Sequence, residues 1–226
     1  MEAIILAGGF GTRLAHIVSN VPKPMAPVNG QPFLQYIIDD LIGKGITKVV
    51  IAVGYKKESI IDHFGKSYKG CEIIYSKEDT PLFTGGAIKK ALNQCRDQNV
   101  FIINGDTFFD VNLLEMLKDH RKNNADLTIA TKEMENFERY GTVIIENNKI
   151  TRFLEKKPER DGIINGGIYL IRKTILLTFN EERFSFETEI MEKKLNELNI
   201  YAYMSNGYFI DIGVPEDYAK AQLDFA

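Results

Sequence analysis

The chain has no tryptophan, two cysteines and seven prolines among its 226 residues, and no excess of basic side chains. Each shortage excludes something. Cys71 and Cys95 lie far apart and match no metal-ligand spacing, so they read as ordinary buried thiols of a reducing compartment. The 18 glycines and 7 prolines are too few for a collagen-like or low-complexity chain. Lysine and arginine number 28 against 31 aspartates and glutamates, a net charge of −3, whereas a nucleic-acid or anionic-lipid binder carries a basic excess. No window approaches the roughly 18 apolar residues of a membrane span. The apolar opening run meets Gly8 too early for a secretory signal. The expectation is a cytoplasmic protein that partners neither membrane nor nucleic acid. A chain of this length buries roughly 70–75% of its unfolded surface, so it needs no disulfide or metal to fold.

Through the first half, short apolar runs alternate with helix-periodic stretches. Residues 3–7, 48–53, 72–75, 100–103 and 126–131 read as buried strands, and 33–44, 56–64, 86–95 and 113–123 as helices. Continuous apolar strands between helices predict an α/β fold with a mostly parallel, mixed sheet flanked by helices. Such sheets bind ligands beyond the carboxyl ends of their strands. The second half changes texture. Residues 141–146 and 149–154 flank Asn147-Asn148, a hairpin turn, and 163–171, 201–204 and 208–212 read as further strands. Helices are expected from Lys173, from Phe186 and over 215–223, the last with Pro215 in its first turn. No linker, repeat or charge block marks a boundary, so 1–226 reads as a single domain.

Three motifs carry chemistry. Gly8, Gly9 and Gly11 directly follow the first strand, where glycines let backbone N–H groups approach phosphate oxygens. No Gly-Lys-Ser/Thr follows, and Leu14 stands where a dinucleotide fingerprint has its third glycine. The loop ends instead in Arg13, a fixed-charge fork suited to a polyphosphate. Lys23 lies between Pro22 and Pro24, which stiffen the backbone around it. Asp106, in Asn104-Gly105-Asp106, ends an apolar strand where a Mg²⁺-phosphate site is expected. Taken singly, each has a plain alternative: a ligand-free turn, a solvated lysine and a turn-capping aspartate.

Together they are more specific. The stretch 6–14 followed by Pro22-Lys23-Pro24-Met25 resembles the signature of the sugar nucleotidyltransferases, the nucleoside-diphosphate-sugar pyrophosphorylases. The likeness continues in order through Glu78, Pro81-Leu82-Phe83-Thr84-Gly85-Gly86-Ala87, Asn104-Gly105-Asp106, Arg139-Tyr140-Gly141, Phe153-Leu154-Glu155-Lys156, Asn165-Gly166-Gly167-Ile168-Tyr169 and Asp211-Ile212-Gly213. It spans nearly the whole chain. The chain departs from the pattern at Phe83, where the family usually has glycine, and at Lys157, which intervenes before Pro158.

The resemblance implies a Rossmann-like nucleotidyltransferase fold, with residues 1–132 binding nucleotide and 133–226 forming a small β-rich sugar-binding lobe and closing helix. It implies that a sugar 1-phosphate oxygen attacks the α-phosphorus of a nucleoside triphosphate and expels pyrophosphate. Positioning and charge neutralisation do most of such chemistry, and no nucleophilic side chain is needed. Leu6, Ala7, Gly8, Gly9, Gly11, Thr12, Arg13, Pro81, Thr84, Gly85 and Gly105 would then contact the nucleotide. Arg13, Lys23, Asp106 and Asp211 would form the catalytic set, with Asp106 and Asp211 holding Mg²⁺. Glu155 would accept from sugar hydroxyls, Lys156 or its neighbour Lys157 would pair with the sugar phosphate, and Gly141, Asn165 and Gly167 would line the sugar pocket.

Glu78 sits where similar enzymes read the base. A carboxylate offers two acceptors and no donor, which suits the adjacent N1–H and N2–H of guanine; a site built on such pairs discriminates by about 10⁴. A solvated glutamate between Lys77 and Asp79 is the plain alternative. The run 104–110 and the Phe-Leu-Glu-Lys block look most like enzymes that guanylate D-glycero-α-D-manno-heptose 1-phosphate for bacterial surface polysaccharides. GTP and that sugar phosphate are therefore the expected partners, with mannose 1-phosphate or glucose 1-phosphate as alternatives. A glycosyltransferase of similar fold would lack the triphosphate loop, and a non-catalytic regulatory subunit would have lost Arg13, Lys23, Asp106 or Asp211. His16, His63 and His120 match no motif and are expected at the surface or on helix faces. Tyr201, Tyr203, Tyr208 and Phe209 could be core or a homodimer interface, with core preferred.

Overall fold

A computed structural model describes residues 1–9, 20–154 and 159–226. After β1 (Glu2–Leu6), a 3₁₀ turn at Lys23–Met25 and a ribbon of β2 (Pro27–Val28) and β3 (Gln31–Pro32) lead into α1 (Phe33–Gly43). Next come β4 (Lys48–Val53), α2 (Lys57–Phe64), β5 (Ser67–Tyr68), β6 (Cys71–Lys77), α3 (Phe83–Leu92), β7 (Asn99–Asn104), β8 (Thr107–Phe109) and α4 (Leu113–Lys122). The second half is strand-rich: β9 (Leu127–Phe137), β10 (Thr142–Glu146), β11 (Lys149–Leu154) and β12 (Glu159–Arg172). The single-turn α5 (Thr174–Leu177), a π-helical turn at Glu187–Glu192, β13 (Ile200–Met204), β14 (Phe209–Asp211) and α6 (Pro215–Asp224) complete it.

One ten-stranded sheet, in the order β10-β11-β13-β9-β12-β7-β1-β4-β6-β5, runs through both halves. Its centre is parallel: β1 pairs with β4 and β7, and β4 with β6, all in one direction. β4 is buried along its whole length, as strands covered on both faces must be. Strand alternation divides the core. Ala3 and Ile5 pack with Leu34, Ile38 and Ile60 of α1 and α2 on one face. Ile4, Val50 and Ile102 pack with Ile88, Ala91 and Leu92 of α3 on the other. These observations give the expected α/β class, a mixed sheet flanked by helices.

Local chemistry explains the boundaries. Pro32 precedes α1, the Asn112 side chain caps α4 by accepting from the Glu115 N–H at 3.1 Å, and α2 ends at Gly65 with φ of 60°. Asn147 and Asn148 both take positive φ, 51° and 63°, the signature of a tight hairpin turn between β10 and β11. Cys71 and Cys95 are free and buried, and burial pushes the Cys95 thiol up to about 12. His120 lies on the inward face of α4, 2% exposed. Tyr203 and Phe209 pack against the core, whereas Tyr208 is exposed. None of the described helices is long and apolar enough to cross a membrane.

The differences from expectation cluster where one strand's partner decides its fate. β9 and β12 continue to Phe137 and back to Glu159, well past the apolar runs, because Glu159 pairs with Phe137 and Gly162 with Met134. Backbone pairing carries these polar segments, which hydropathy alone does not mark. The helix expected from Lys173 is one turn, and the one expected from Phe186 is a π-helical turn. β8 and β14 escaped the sequence reading as a pair, and their pairing turns out to build the site.

Candidate active site

A cavity of about 540 Å³ opens beyond the carboxyl ends of β1, β4, β6 and β7, lined among others by Leu6, Ala7, Ala52, Glu78, Asn104 and Asp106. After β1 the chain adds β4 and β6 on one side of it, then returns to lay β7 on the other. The cavity therefore sits at a topological switch point, where the loops leaving β1 and β7 part. Gly8 and Gly9 also line it. A side chain at Gly8 would stand 3.4 Å from a Glu78 carboxylate oxygen, and one at Gly54 would stand 3.2 Å from the Gly8 carbonyl. Glycine here keeps two strand ends and the Glu78 side chain close together.

Lys23 enters on its 3₁₀ turn, closed by hydrogen bonds from Met25 to Pro22 and from Ala26 to Lys23. The flanking prolines pre-set that turn. Its side chain is only 10% exposed, and the ammonium stands 2.5 Å from Asp106 Oδ2 and 3.5 Å from Asp211 Oδ1. The solvated-lysine alternative is thus excluded. Asp211 reaches this place because β14 pairs with β8, setting Asp211 opposite Thr107, one residue beyond Asp106. The Ile212 N–H donates to the Asp106 carbonyl at 3.1 Å, and the Gly213 N–H to Asp211 Oδ1 at 2.7 Å. Burial and the neighbouring Asp106 raise the Asp211 carboxyl above its ordinary value, against the pull of Lys23. Among the described residues, Asp106 and Asp211 share the Lys23 ammonium, and two carboxylates so placed are a donor set that suits a hard divalent cation.

Behind the pair, Asp211 borders a second concavity of about 420 Å³ with Arg139, Tyr140, Phe209 and Asp217. Arg139 forms an ion pair with Asp217 of α6 and lies over the Tyr140 ring, which stacks edge-on against Phe209 of β14. The Arg139-Tyr140 block thus fastens the strand that delivers Asp211.

The structure separates the other expected residues by role. Glu78 and Pro81 line the cavity, and Glu78 Oε2 accepts from the Leu82 N–H at 3.0 Å, which fixes the carboxylate. Thr84 also lines it, but its hydroxyl donates to Glu187 Oε2 at 2.6 Å. Gly85 and Gly105 serve packing: a side chain would meet the Phe184 ring at 2.2 Å and the Leu6 carbonyl at 2.6 Å respectively. Gly141, Asn165 and Gly167 come together next to the cavity-lining Asn104, with the Asn165 N–H donating to the Gly141 carbonyl and the Gly167 N–H to Asn165 Oδ1. Gly167, at φ 75°, lets the β12 bulge press against the Asn104 side chain. Gly11, Thr12, Arg13, Glu155 and Lys156, with Lys157, lie outside the described residues. Sequence reading missed Glu187 and Gly213, which line the cavity. Glu187 lies 103 residues from Thr84 and in no motif, so no local signal marks it. Gly213 was legible only as the end of Asp-Ile-Gly; a side chain there would strike Asp211 Oδ1 at 2.8 Å.

A model of the Nucleotidyl transferase family matches residues 2–226. The chain belongs to that family. D-glycero-alpha-D-manno-heptose 1-phosphate guanylyltransferase of Aneurinibacillus thermoaerophilus is 50% identical over 99% of this chain and 98% of its own length. The protein of the same name from Campylobacter jejuni is 46% identical over 96% and 97%. Among solved structures, HddC from Yersinia pseudotuberculosis superposes with a TM-score of 0.91 at 34% identity, covering 100% of this chain and 99% of that one. A second HddC structure, complexed with GMP-PN, gives a TM-score of 0.89. The family's fold is the one built here around the cavity.

Proposed function

We propose that the protein transfers GMP from GTP to D-glycero-α-D-manno-heptose 1-phosphate, releasing pyrophosphate. The observation that carries this is one cavity holding a fixed carboxylate, Glu78, at one wall and the Lys23–Asp106–Asp211 cluster at another. Its near-full-length similarity to heptose 1-phosphate guanylyltransferases supports the sugar and the base alike.

Glu78 accepts from guanine N1–H and N2–H, for which its anchoring by Leu82 prepares it. Lys23 neutralises the α-phosphate, where charge accumulates as the sugar phosphate oxygen forms its bond to phosphorus and the bond to the β-phosphate oxygen breaks. Pyrophosphate leaves with the electron pair of that broken bond. Asp106 and Asp211 would hold Mg²⁺, which when bound neutralises phosphate oxygens and orients them. Arg13, at the end of the glycine loop, adds a fixed positive charge for the triphosphate. Gly141, Glu155, Lys156, Asn165 and Gly167 take the sugar 1-phosphate, so residues 1–132 bind chiefly nucleotide and 133–226 chiefly sugar.

The test is pyrophosphate release across a grid of nucleoside triphosphates and sugar 1-phosphates with Mg²⁺. The expected best pair is GTP with the heptose phosphate. Turnover with no pair would end the catalytic reading, and turnover with UTP but not GTP would end the role given to Glu78.

A further inference from the structure

Phe83 is the residue the fold explains least. It opens α3 with φ of 58°, a left-handed backbone that a bulky side chain rarely adopts and that glycine takes without strain. Burial does not compensate, since the side chain is 55% exposed and belongs to neither core cluster. Its ring lines the cavity beside Glu78 and Pro81. On the ring lies the Arg183 guanidinium, 4.6 Å from the centroid, delivered from the second half of the chain.

The surroundings force this conformation. The segment carrying Arg183 is hydrogen-bonded to both flanks of Phe83. The Phe184 N–H donates to the Leu82 carbonyl at 3.2 Å, and the Gly85 N–H to the Phe184 carbonyl at 2.9 Å. The Phe186 N–H donates to the Thr84 hydroxyl at 2.9 Å, which in turn donates to Glu187. Gly85 and Gly86 admit the strap, since side chains there would strike the Phe184 ring and the Glu182 carbonyl, both at 2.2 Å. Strain held in place by so many contacts, at an exposed ring facing a cavity, points to a ligand rather than to stability.

We propose that Phe83, backed by Arg183, is the face on which the purine of the bound nucleotide stacks, and so a determinant of base selection. This rests on the guanylyltransferase reading: Glu78 takes the edge of the base and Phe83 covers its plane. A two-ring base gains more from such a stack than a single-ring pyrimidine, and the gain is tolerant of hydrogen-bond pattern. Edge and face would then select by independent means.

The chain has no tryptophan, so a Phe83→Trp variant carries a single indole whose emission reports on this position alone. GTP and UTP are titrated into wild type, Phe83→Trp, Phe83→Leu and Phe83→Gly by calorimetry, and into Phe83→Trp by fluorescence, all with Mg²⁺. Phe83→Trp is expected to bind GTP within about 2-fold of wild type and to lose emission on saturation. Phe83→Leu and Phe83→Gly should bind GTP about 10-fold more weakly while UTP changes little. Phe83→Gly should melt no lower than wild type, because relief of the φ strain offsets the lost ring contact. Unaltered GTP affinity in Phe83→Gly, or an indole silent while calorimetry shows GTP bound, would overturn the proposal. If wild type binds UTP more tightly than GTP, the guanine reading fails. The stack is then judged by the same indole response to that nucleotide. Binding of no triphosphate by wild type would overturn both.

Discussion

Two lysine–carboxylate sites stand at opposite ends of the same parallel strands. At the amino ends, Glu2 of β1 pairs in register with Lys48 of β4. Glu2 Oε2 accepts from the Arg96 and Asp97 N–H groups at 2.5 and 2.7 Å. Lys48 Nζ stands 3.3 Å from Glu2 Oε1 and donates to the Gln94 carbonyl at 2.5 Å. Both residues are almost fully buried. At the carboxyl ends, Lys23 serves Asp106 and Asp211 beside an open cavity. The carboxyls of Glu2 and Asp211 shift in opposite directions. Burial works to raise both carboxyls. At Glu2 the Asp97 and Arg96 N–H groups and Lys48 overcome it and hold the carboxyl below its ordinary value. At Asp211, Asp106 adds to it and the carboxyl is raised. One charge matched to one charge, with the remaining lone pairs filled, is structural. Two charges sharing one partner next to a cavity leave a place for something to bind.

The largest test of this contrast is to break the unmatched site. Asp106→Asn or Asp211→Asn should lower pyrophosphate-releasing turnover by about 10³-fold or more, in keeping with the loss of a directly placed charge. Neither should lower the melting temperature, because each removes a charge that its neighbour opposes. Wild-type turnover in both variants would show that the cluster is not catalytic. Breaking the matched site should do the reverse. Lys48→Met strands Glu2 in the interior and should cost about 3–5 kcal/mol in urea unfolding, with turnover per folded molecule unchanged. Lys48→Met with Glu2→Gln should recover part of that loss. A single variant as stable as wild type would show that the pair carries no structural weight.

A smaller effect sharpens the comparison with a buried group whose environment favours its neutral form. His120 Nδ1 lies 2.8 Å from the Thr128 hydroxyl, while Nε2 is buried without a hydrogen-bond partner among the described residues. Burial, reinforced by Arg172, lowers its pKa from 6.5 to about 4. The folded protein keeps this imidazole neutral where the unfolded chain protonates it, so the unfolded chain binds the extra proton. Stability from this residue is intact above about 6.5 and falls by about 3 kcal/mol as pH drops through 4. Urea midpoints at pH 7, 5.5 and 4.5 should therefore fall less steeply in His120→Gln than in wild type. Parallel profiles would mean that His120 is charged in the folded state.

How much of this was legible in advance follows a physical line. Strands such as β4 announce themselves because both faces must be apolar, and Asn147-Asn148 announces its turn because left-handed backbone favours asparagine. Lys23, Glu78 and Asp106 were legible because each sits in a short motif at a strand end or a proline-stiffened turn. The polar ends of β9 and β12 were not, since only the partner strand makes them strands. Nor was Glu187, held by Thr84 and Ser185 hydroxyls across an unmarked stretch of sequence.

The sequence by itself determined the α/β class, the family resemblance and the identity of the charged residues, because periodicity and local motifs depend on neighbours along the chain. Only the tertiary structure decided that β8 and β14 pair, that Asp211 thereby shares Lys23 with Asp106, and that Phe83 is held strained at the cavity wall beneath Arg183. Those facts depend on which distant segments exchange hydrogen bonds. Chain-local preference contains no record of that exchange.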